Sequence, residues 1–242
     1  MLNRLGRGLA PAPLRFPFPF RYLNFVSTLP SEVTFIRNSK ATCRNTEGKL
    51  IEVGANEARL DHTKDGTPLG LYIEPSATNK CQNYNINPIN TSEFLTSGGA
   101  GLLSVVDDTN ELLAAGLDQI CTSGKVYKAE ATTSSTFIVY ILGDTNNTNA
   151  HSMSLYARGE NGGGTAARLA LGGAELPIAA VGENYQRYKY ENVIPDSIGR
   201  KFTIAINGNQ TLYFILNQLE EASECTSIIP VEGGNVTRPT DR

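Results

Sequence analysis

The chain has 242 residues, 40% of them hydrophobic and 19% charged, with a formal net charge of −3. That length suits one large β-domain or two small ones, and the negative balance supplies no global field to attract nucleic acid. No apolar run of about 18 residues occurs, so no helix is expected to span a membrane.

The 23 Gly and 12 Pro, with abundant Asn, Thr and Ser, favour short strands and many turns over helices. Cys43, Cys81, Cys121 and Cys225 are far apart and form no CxxC pair. This argues against a zinc site and a compact disulfide scaffold. Reduced thiols in a protein assembled in a cytoplasm are expected, with a chance disulfide as the alternative.

Residues 1–22 read as an extended arm. Phe16-Pro17-Phe18-Pro19-Phe20-Arg21-Tyr22 alternates aromatic side chains with proline, which fixes φ and cannot donate a hydrogen bond. Arg4, Arg7, Arg15 and Arg21 all precede the first acid, Glu32. The first 31 residues therefore carry +4 and the remainder −7. Burying each Phe side chain is worth about 1.5–3 kcal/mol, so the arm is expected to dock, either on its own body or on a second surface. Arg4, Arg7, Arg15, Phe16, Phe18, Phe20, Arg21 and Tyr22 are the candidate partner-anchoring residues.

Residues 23–79 read as a module of short strands and turns. Thr46-Glu47-Gly48 and Lys64-Asp65-Gly66 are hairpin turn candidates, with Gly supplying positive φ. Val33-Thr34-Phe35-Ile36-Arg37 echoes Asn235-Val236-Thr237-Arg238, which suggests that the two segments lie together and tie the chain ends. Residues 80–100, rich in Asn, read as a linker.

Residues 101–216 hold nine candidate strands at a spacing that points to a sandwich or barrel. They are 102–106, 125–131, 136–142, 153–158, 166–171, 176–181, 185–193, 202–206 and 211–216. Arg187-Tyr188-Lys189-Tyr190-Glu191 alternates, placing tyrosines inward and charges outward. Thr211–Leu216 suits a strand buried on both faces. Asp108–Gly116 suits one or two helical turns with Asp108 or Thr109 as N-cap. Residues 217–242 are expected to leave the sandwich and pack back on the body.

The chemistry-bearing residues are sparse. His62 and His151 sit in polar, turn-like contexts and read as surface residues. No HExxH, GxSxG or P-loop pattern occurs, so no enzyme activity is expected. Glu220-Glu221 read as structural rather than catalytic. Asp144–Asn149 offers oxygens to calcium without EF-hand spacing. The chain has no Trp, which counts against a dedicated sugar-stacking platform. Tyr185 is the candidate glycan-binding residue.

The two ends carry a resemblance. The closing stretch holds Gln218-Leu219-Glu220-Glu221, Thr226-Ser227, Ile229-Pro230, Gly233, Val236-Thr237-Arg238 and Asp241. The opening module holds Thr34-Phe35, Arg37, Ser39, Ala41-Thr42, Ala55-Asn56, Arg59, Leu71 and Ile73-Glu74. Together they resemble a family of bacteriophage virion structural proteins with a lectin-like sandwich; Ala222, Ile228, Cys43 and Tyr72 depart from its pattern. The resemblance implies an all-β jelly roll, like that of carbohydrate-binding modules, behind the arm and module. It implies a non-enzymatic accessory of a tailed-phage particle: capsid decoration, head fibre or tail adaptor, anchored by the arm. The implied partners are other virion proteins and sister subunits, a trimer fitting best, with assembly in the bacterial cytoplasm. A host-attachment protein that binds glycan is the alternative. No cofactor is implied beyond a structural calcium of the kind such lectins hold.

Overall fold

The computed structural model describes residues 21–23, 28–29, 33–81, 85–92, 94–97, 101–141, 149–160, 165–171, 174–195 and 201–242. The opening module contains β1 (Arg21–Leu23), β2 (Ala41–Arg44), β3 (Leu50–Val53), β4 (Leu60–His62), β5 (Pro68–Ile73) and β6 (Ala77–Asn79). The strands β1, β5 and β4 form one small sheet, and β2 and β3 form a hairpin. The expected turns are present, with Gly48 and Gly66 at positive φ.

The sandwich strands are β7 (Leu95–Ser97), β8 (Gly101–Asp107), β9 (Lys125–Ala131), β10 (Ser135–Ile141), β11 (His151–Gly159), β12 (Thr165–Leu171), β13 (Ala174–Val181), β14 (Gln186–Val193), β15 (Lys201–Ile206) and β16 (Gln210–Glu220). They make two five-stranded antiparallel sheets, β13-β12-β15-β10-β7 and β14-β11-β16-β9-β8. This is the all-β sandwich that the sequence suggested, and all nine expected strands are there. The short helix α1 (Thr109–Ala114) follows β8. The last strand, β17 (Val236–Arg238), pairs with β6.

Alternation along the strands divides the second sheet between two cores. Tyr127, Leu155 and Phe214 face the other sheet and pack with Phe137, Phe202 and Ile204. Phe94, Tyr127 and Phe214 form an aromatic cluster with centroids 4.7–5.9 Å apart. Their neighbours Val126, Tyr156, Tyr213 and Ile215 face the opposite way and bury against Leu50, Leu112, Leu117 and Ile228. The strand β16 is therefore covered on both faces, as its unbroken apolar run required. Tyr188 and Tyr190 pack inward, as the alternation predicted.

Three expectations change. First, residues 80–100 do more than link: Leu95–Ser97 is an edge strand on β10, and Asn85 is fully buried. Asn85 donates to the carbonyls of Asn217 and Ile229 and accepts from the Val231 amide at 2.7 Å. Asn residues that look like loop composition here satisfy buried main chain. Second, the echoing segments 33–37 and 235–238 do tie the chain ends, with Arg37 and Arg238 both approaching Asp241, but not as a strand pair. Ile36 instead exchanges two main-chain hydrogen bonds with Arg242, at 2.7 and 2.9 Å, while Val236–Arg238 pairs with Ala77–Asn79. Third, Asp108 is the N-cap by position but makes no capping bond, because its carboxylate is taken by Arg158 at 2.6 and 2.8 Å.

The chain ends meet in a sealed ionic cluster. Arg37, Arg59, Arg238, Glu74 and Asp241 are all at most 4% exposed. Arg59 bonds Glu74 at 2.5 Å and also bonds Asp241. Arg238 lies 3.3 Å from Glu74, and Arg37 lies 3.4 Å from Asp241. Ser227 donates to Glu74 from its amide and its hydroxyl. Three cations face two carboxylates, and Arg37 settles the excess by donating to the Gly54, Glu57 and Ser39 carbonyls.

Burial alone would raise the Glu74 carboxyl, but Arg238 and Arg59 outweigh it and hold it down at about 2, against an ordinary 4.5. A group depressed in the folded state stabilises above its ordinary pKa and loses that contribution as pH falls toward the folded value. Stability is therefore expected to drop as pH is lowered from about 4.5 to 2, by roughly 3 kcal/mol from this group. Urea midpoints across that window measure it, and Glu74→Gln should flatten the profile there.

Candidate functional site

The motif residues that stood out in the sequence are mostly locked into structure. Besides the ionic cluster, Glu220 is 1% exposed and accepts from the Thr226 amide at 3.0 Å, the Thr226 hydroxyl and the Gln218 amide group. Burial pushes its carboxyl up, against those hydrogen bonds. Gln218 also holds the Ile229 amide and the Ser227 carbonyl. These groups fasten the closing stretch to β16, and neither Glu220 nor Gln218 borders the two hollows described below.

Arg4, Arg7, Arg15, Phe16, Phe18 and Phe20 lie outside the described residues. Arg21 and Tyr22 form the edge strand β1, opposite Ile73 and Tyr72. Tyr185 is not a surface platform. It is 3% exposed and packed in the second core, and its hydroxyl donates to Asp108 at 2.7 Å. Asp144 to Thr148 lie outside the described residues. The four thiols are free and buried, and burial pushes Cys43 and Cys225 up to about 12, so they are unreactive thiols.

Neither histidine is on the surface. His151 is fully buried and His62 is 6% exposed. Each places Nδ1 against a main-chain carbonyl, Asn149 and Arg44 respectively, at 2.9 and 3.0 Å. A carbonyl can only accept, so both rings carry the proton on Nδ1. Strand ends, rather than open loops, account for their burial: His62 ends β4 and His151 opens β11.

One concave site brings the two halves of the fold together. A cleft of about 240 Å³ lies between the opening module and the outward face of the second sheet. The sheet wall carries Tyr156, Arg187 and Lys189. Tyr156 and Arg187 are cross-strand partners on β11 and β14, and Lys189 faces Ser154 two pairs further on. The module wall carries Arg44, Asp61, His62 and Lys64, with Tyr72 from β5. Ser227 and Ile228 complete the lining from the closing stretch.

Hydrogen bonds fix these walls. Arg187 donates to the Ser154 hydroxyl at 2.8 Å and to the Thr226 carbonyl at 2.8 Å. Arg44 donates to the Gly48 carbonyl and to the Tyr156 hydroxyl, and its amide bonds Asp61 at 2.7 Å. Tyr72 has the Arg59 guanidinium 4.7 Å over its ring, which joins the sealed cluster to the cleft wall. A second hollow of about 400 Å³ lies by Leu102, Glu130 and the Asn209 turn, and its lining includes no aromatic side chain.

The turn that carries Lys64 is held by close backbone contact. A Cβ at Gly48 would meet the Lys64 carbonyl oxygen at 1.8 Å, and one at Gly66 would meet the Thr46 carbonyl oxygen at 2.3 Å. Two turns interlock here through residues without side chains, both at positive φ. Gly48→Ala is expected to lower stability by about 1–3 kcal/mol. Thermal unfolding measures this, and an unchanged midpoint would mean that the turns do not touch.

Sequence reading missed Tyr156, Tyr72 and Lys64 as site residues. The one available signal was the outward register of Arg187 and Lys189 in their alternating strand.

No family model and no curated protein matches this chain. Solved structures with a similar course include the enzymatically active domain of tailspike protein 4 from bacteriophage CBA120. It is 13% identical over 58% of this chain and 21% of its own, with a TM-score of 0.40. A family 29 carbohydrate-binding module from Piromyces equi is 12% identical over 61% of this chain and 91% of its own, at 0.37. A family 11 module from Clostridium thermocellum, in complex with a mixed-linked tetrasaccharide, is 8% identical over 61% and 96%, also at 0.37. This chain thus matches about a fifth of the tailspike domain. Likenesses this distant leave the sandwich resting on its own strand order.

Proposed function

We propose that this chain is a non-enzymatic glycan-recognition protein of a tailed-bacteriophage particle, and that the inter-module cleft is its binding site. The cleft itself supports this reading: Tyr72 and Tyr156 line it beside hydrogen-bonding groups that are held by their own partners. Saccharides need that combination, an apolar ring face for the carbon skeleton and fixed polar groups for the hydroxyls. At about 240 Å³ the cleft is smaller than the roughly 300–1,000 Å³ of drug-sized pockets. It therefore suits one or two sugar units of a longer chain.

A binding role fits the carboxylates better than glycoside cleavage does. Cleavage by the usual pair of carboxyls needs both beside one bond. Among the described residues Asp61 is the only carboxylate in the cleft lining, while Glu74, Asp241 and Glu220 are sealed. The test is hydrogen exchange of the full chain with and without a bound bacterial surface polysaccharide. Protection is expected in 42–44, 61–64 and 187–189. Protection confined to 102 and 130–132 would move the site to the second hollow, and no binding to any polysaccharide would remove the glycan reading.

The particle assignment is supported by the resemblance at the two chain ends. The structural role first suggested by that resemblance, decoration or adaptor, has one supporting observation. Strand β1, which follows the Arg- and Phe-rich segment in sequence, lies at the edge of the module sheet. Removing residues 1–20 is expected to abolish attachment to particles while glycan binding persists, as read by co-sedimentation. Undiminished co-sedimentation would show that the arm is not the anchor.

A further inference from the structure

We infer that the cleft recognises an anionic saccharide, one bearing a carboxylate, with Arg187 and Lys64 as its charge anchors. This rests on the cleft being the glycan site. The charge distribution carries the inference. Residues 32–242 are net −7, yet the cleft lining holds Arg44, Lys64, Arg187 and Lys189 against Asp61 alone. A cationic hollow in an acidic body concentrates anions locally and repels them elsewhere.

The four cations are not equivalent. Arg44 is committed to the Gly48 carbonyl and the Tyr156 hydroxyl. Lys189 lies 3.5 Å from Glu191. Arg187 faces no carboxylate within ion-pair distance among the described residues. Its Nε and Nη2 are bonded to Ser154 and Thr226, which orients the guanidinium and leaves Nη1 unengaged among the described residues. Half-buried and pre-aimed, it pays little ordering cost on binding. Lys64 likewise makes no ion pair among the described residues, and the Gly48–Lys64 contact fixes the backbone that carries it.

A carboxylate fits this arrangement better than a bare phosphate does. With Nε and Nη2 engaged, Arg187 presents the two N–H donors of Nη1 to an acid group, a charge-assisted contact that needs no fork. The tyrosines bordering the same hollow give the rest of a sugar an apolar surface, which inorganic phosphate does not need. Uronic and other acidic sugars share this chemistry, and phosphodiester-linked glycans share only the charge.

The experiment is a glycan array of matched oligosaccharides probed with the full chain. It compares galactotriose with trigalacturonate, other neutral and carboxylated bacterial oligosaccharides, and a phosphodiester-linked glycan. Carboxylated members are expected to dominate the bound set. Arg187→Gln is expected to weaken them by about tenfold to a hundredfold, the worth of one charged hydrogen bond. Lys64→Gln, at an exposed turn, should weaken them in the same sense without touching the fold, and Lys125→Gln, outside the cleft, should not. Equal binding of neutral and acidic partners, unmoved by either cleft variant, would overturn the anionic inference and leave the glycan reading standing. Selective capture of the phosphodiester glycan would overturn the carboxylate assignment. Failure of every saccharide to bind would overturn both.

Discussion

The buried contact among Arg37, Arg59, Arg238, Glu74 and Asp241 is the constraint on which the rest of the molecule depends. It joins four segments that are apart in sequence: the start of the module, the approach to β4, the end of β5 and the last residues of the closing stretch. Removing charges from water costs several kcal/mol per ion, and a buried pair returns this only with good geometry and further hydrogen bonds. Here those bonds are supplied by Ser227, by the Glu74 amide to Asp241 at 2.9 Å, and by the carbonyls that receive Arg37. A shifted docking of the two ends would strand at least one charge out of water, so the cluster selects a single arrangement.

That arrangement creates the cleft. The sandwich alone would expose Tyr156, Tyr213 and Ile215 on the outer face of its second sheet. The module, α1 and the closing stretch cover part of that face and build a second core there. Where the cover stops, at the ends of β2 and β4, the space between module and sheet remains open. Tyr72 serves both regions, touching Arg59 of the cluster and lining the cleft. The site is therefore a by-product of how the chain ends are fastened, and its geometry is as rigid as that fastening.

The same logic sorts the conspicuous residues by role. The motif side chains that the structure seals are Arg37, Arg59, Glu74, Gln218, Glu220, Arg238 and Asp241. They are recognisable in sequence because a sealed polar network tolerates little change of charge, length or geometry. Several of the cleft side chains belong to no such pattern. Arg187, Lys64 and Tyr156 need only the right face of the right element, a looser demand on sequence.

Local signals in the sequence were sufficient for the strands, the hairpin turns at Gly48 and Gly66, and the inward tyrosines of β14. Each depends on period, on φ, or on a buried run within a few residues. Long-range partnership was not legible. Nothing near Tyr185 shows that Asp108 lies over its hydroxyl, and nothing near His62 shows that the module folds it inward. Asn85 looks like a loop residue until the Asn217, Ile229 and Val231 main chain arrives around it. By itself the sequence determined an all-β sandwich with a strand-and-turn module before it. Which polar residues are sealed and which line an open cleft was decided only in three dimensions, because burial depends on what packs against a residue from distant parts of the chain.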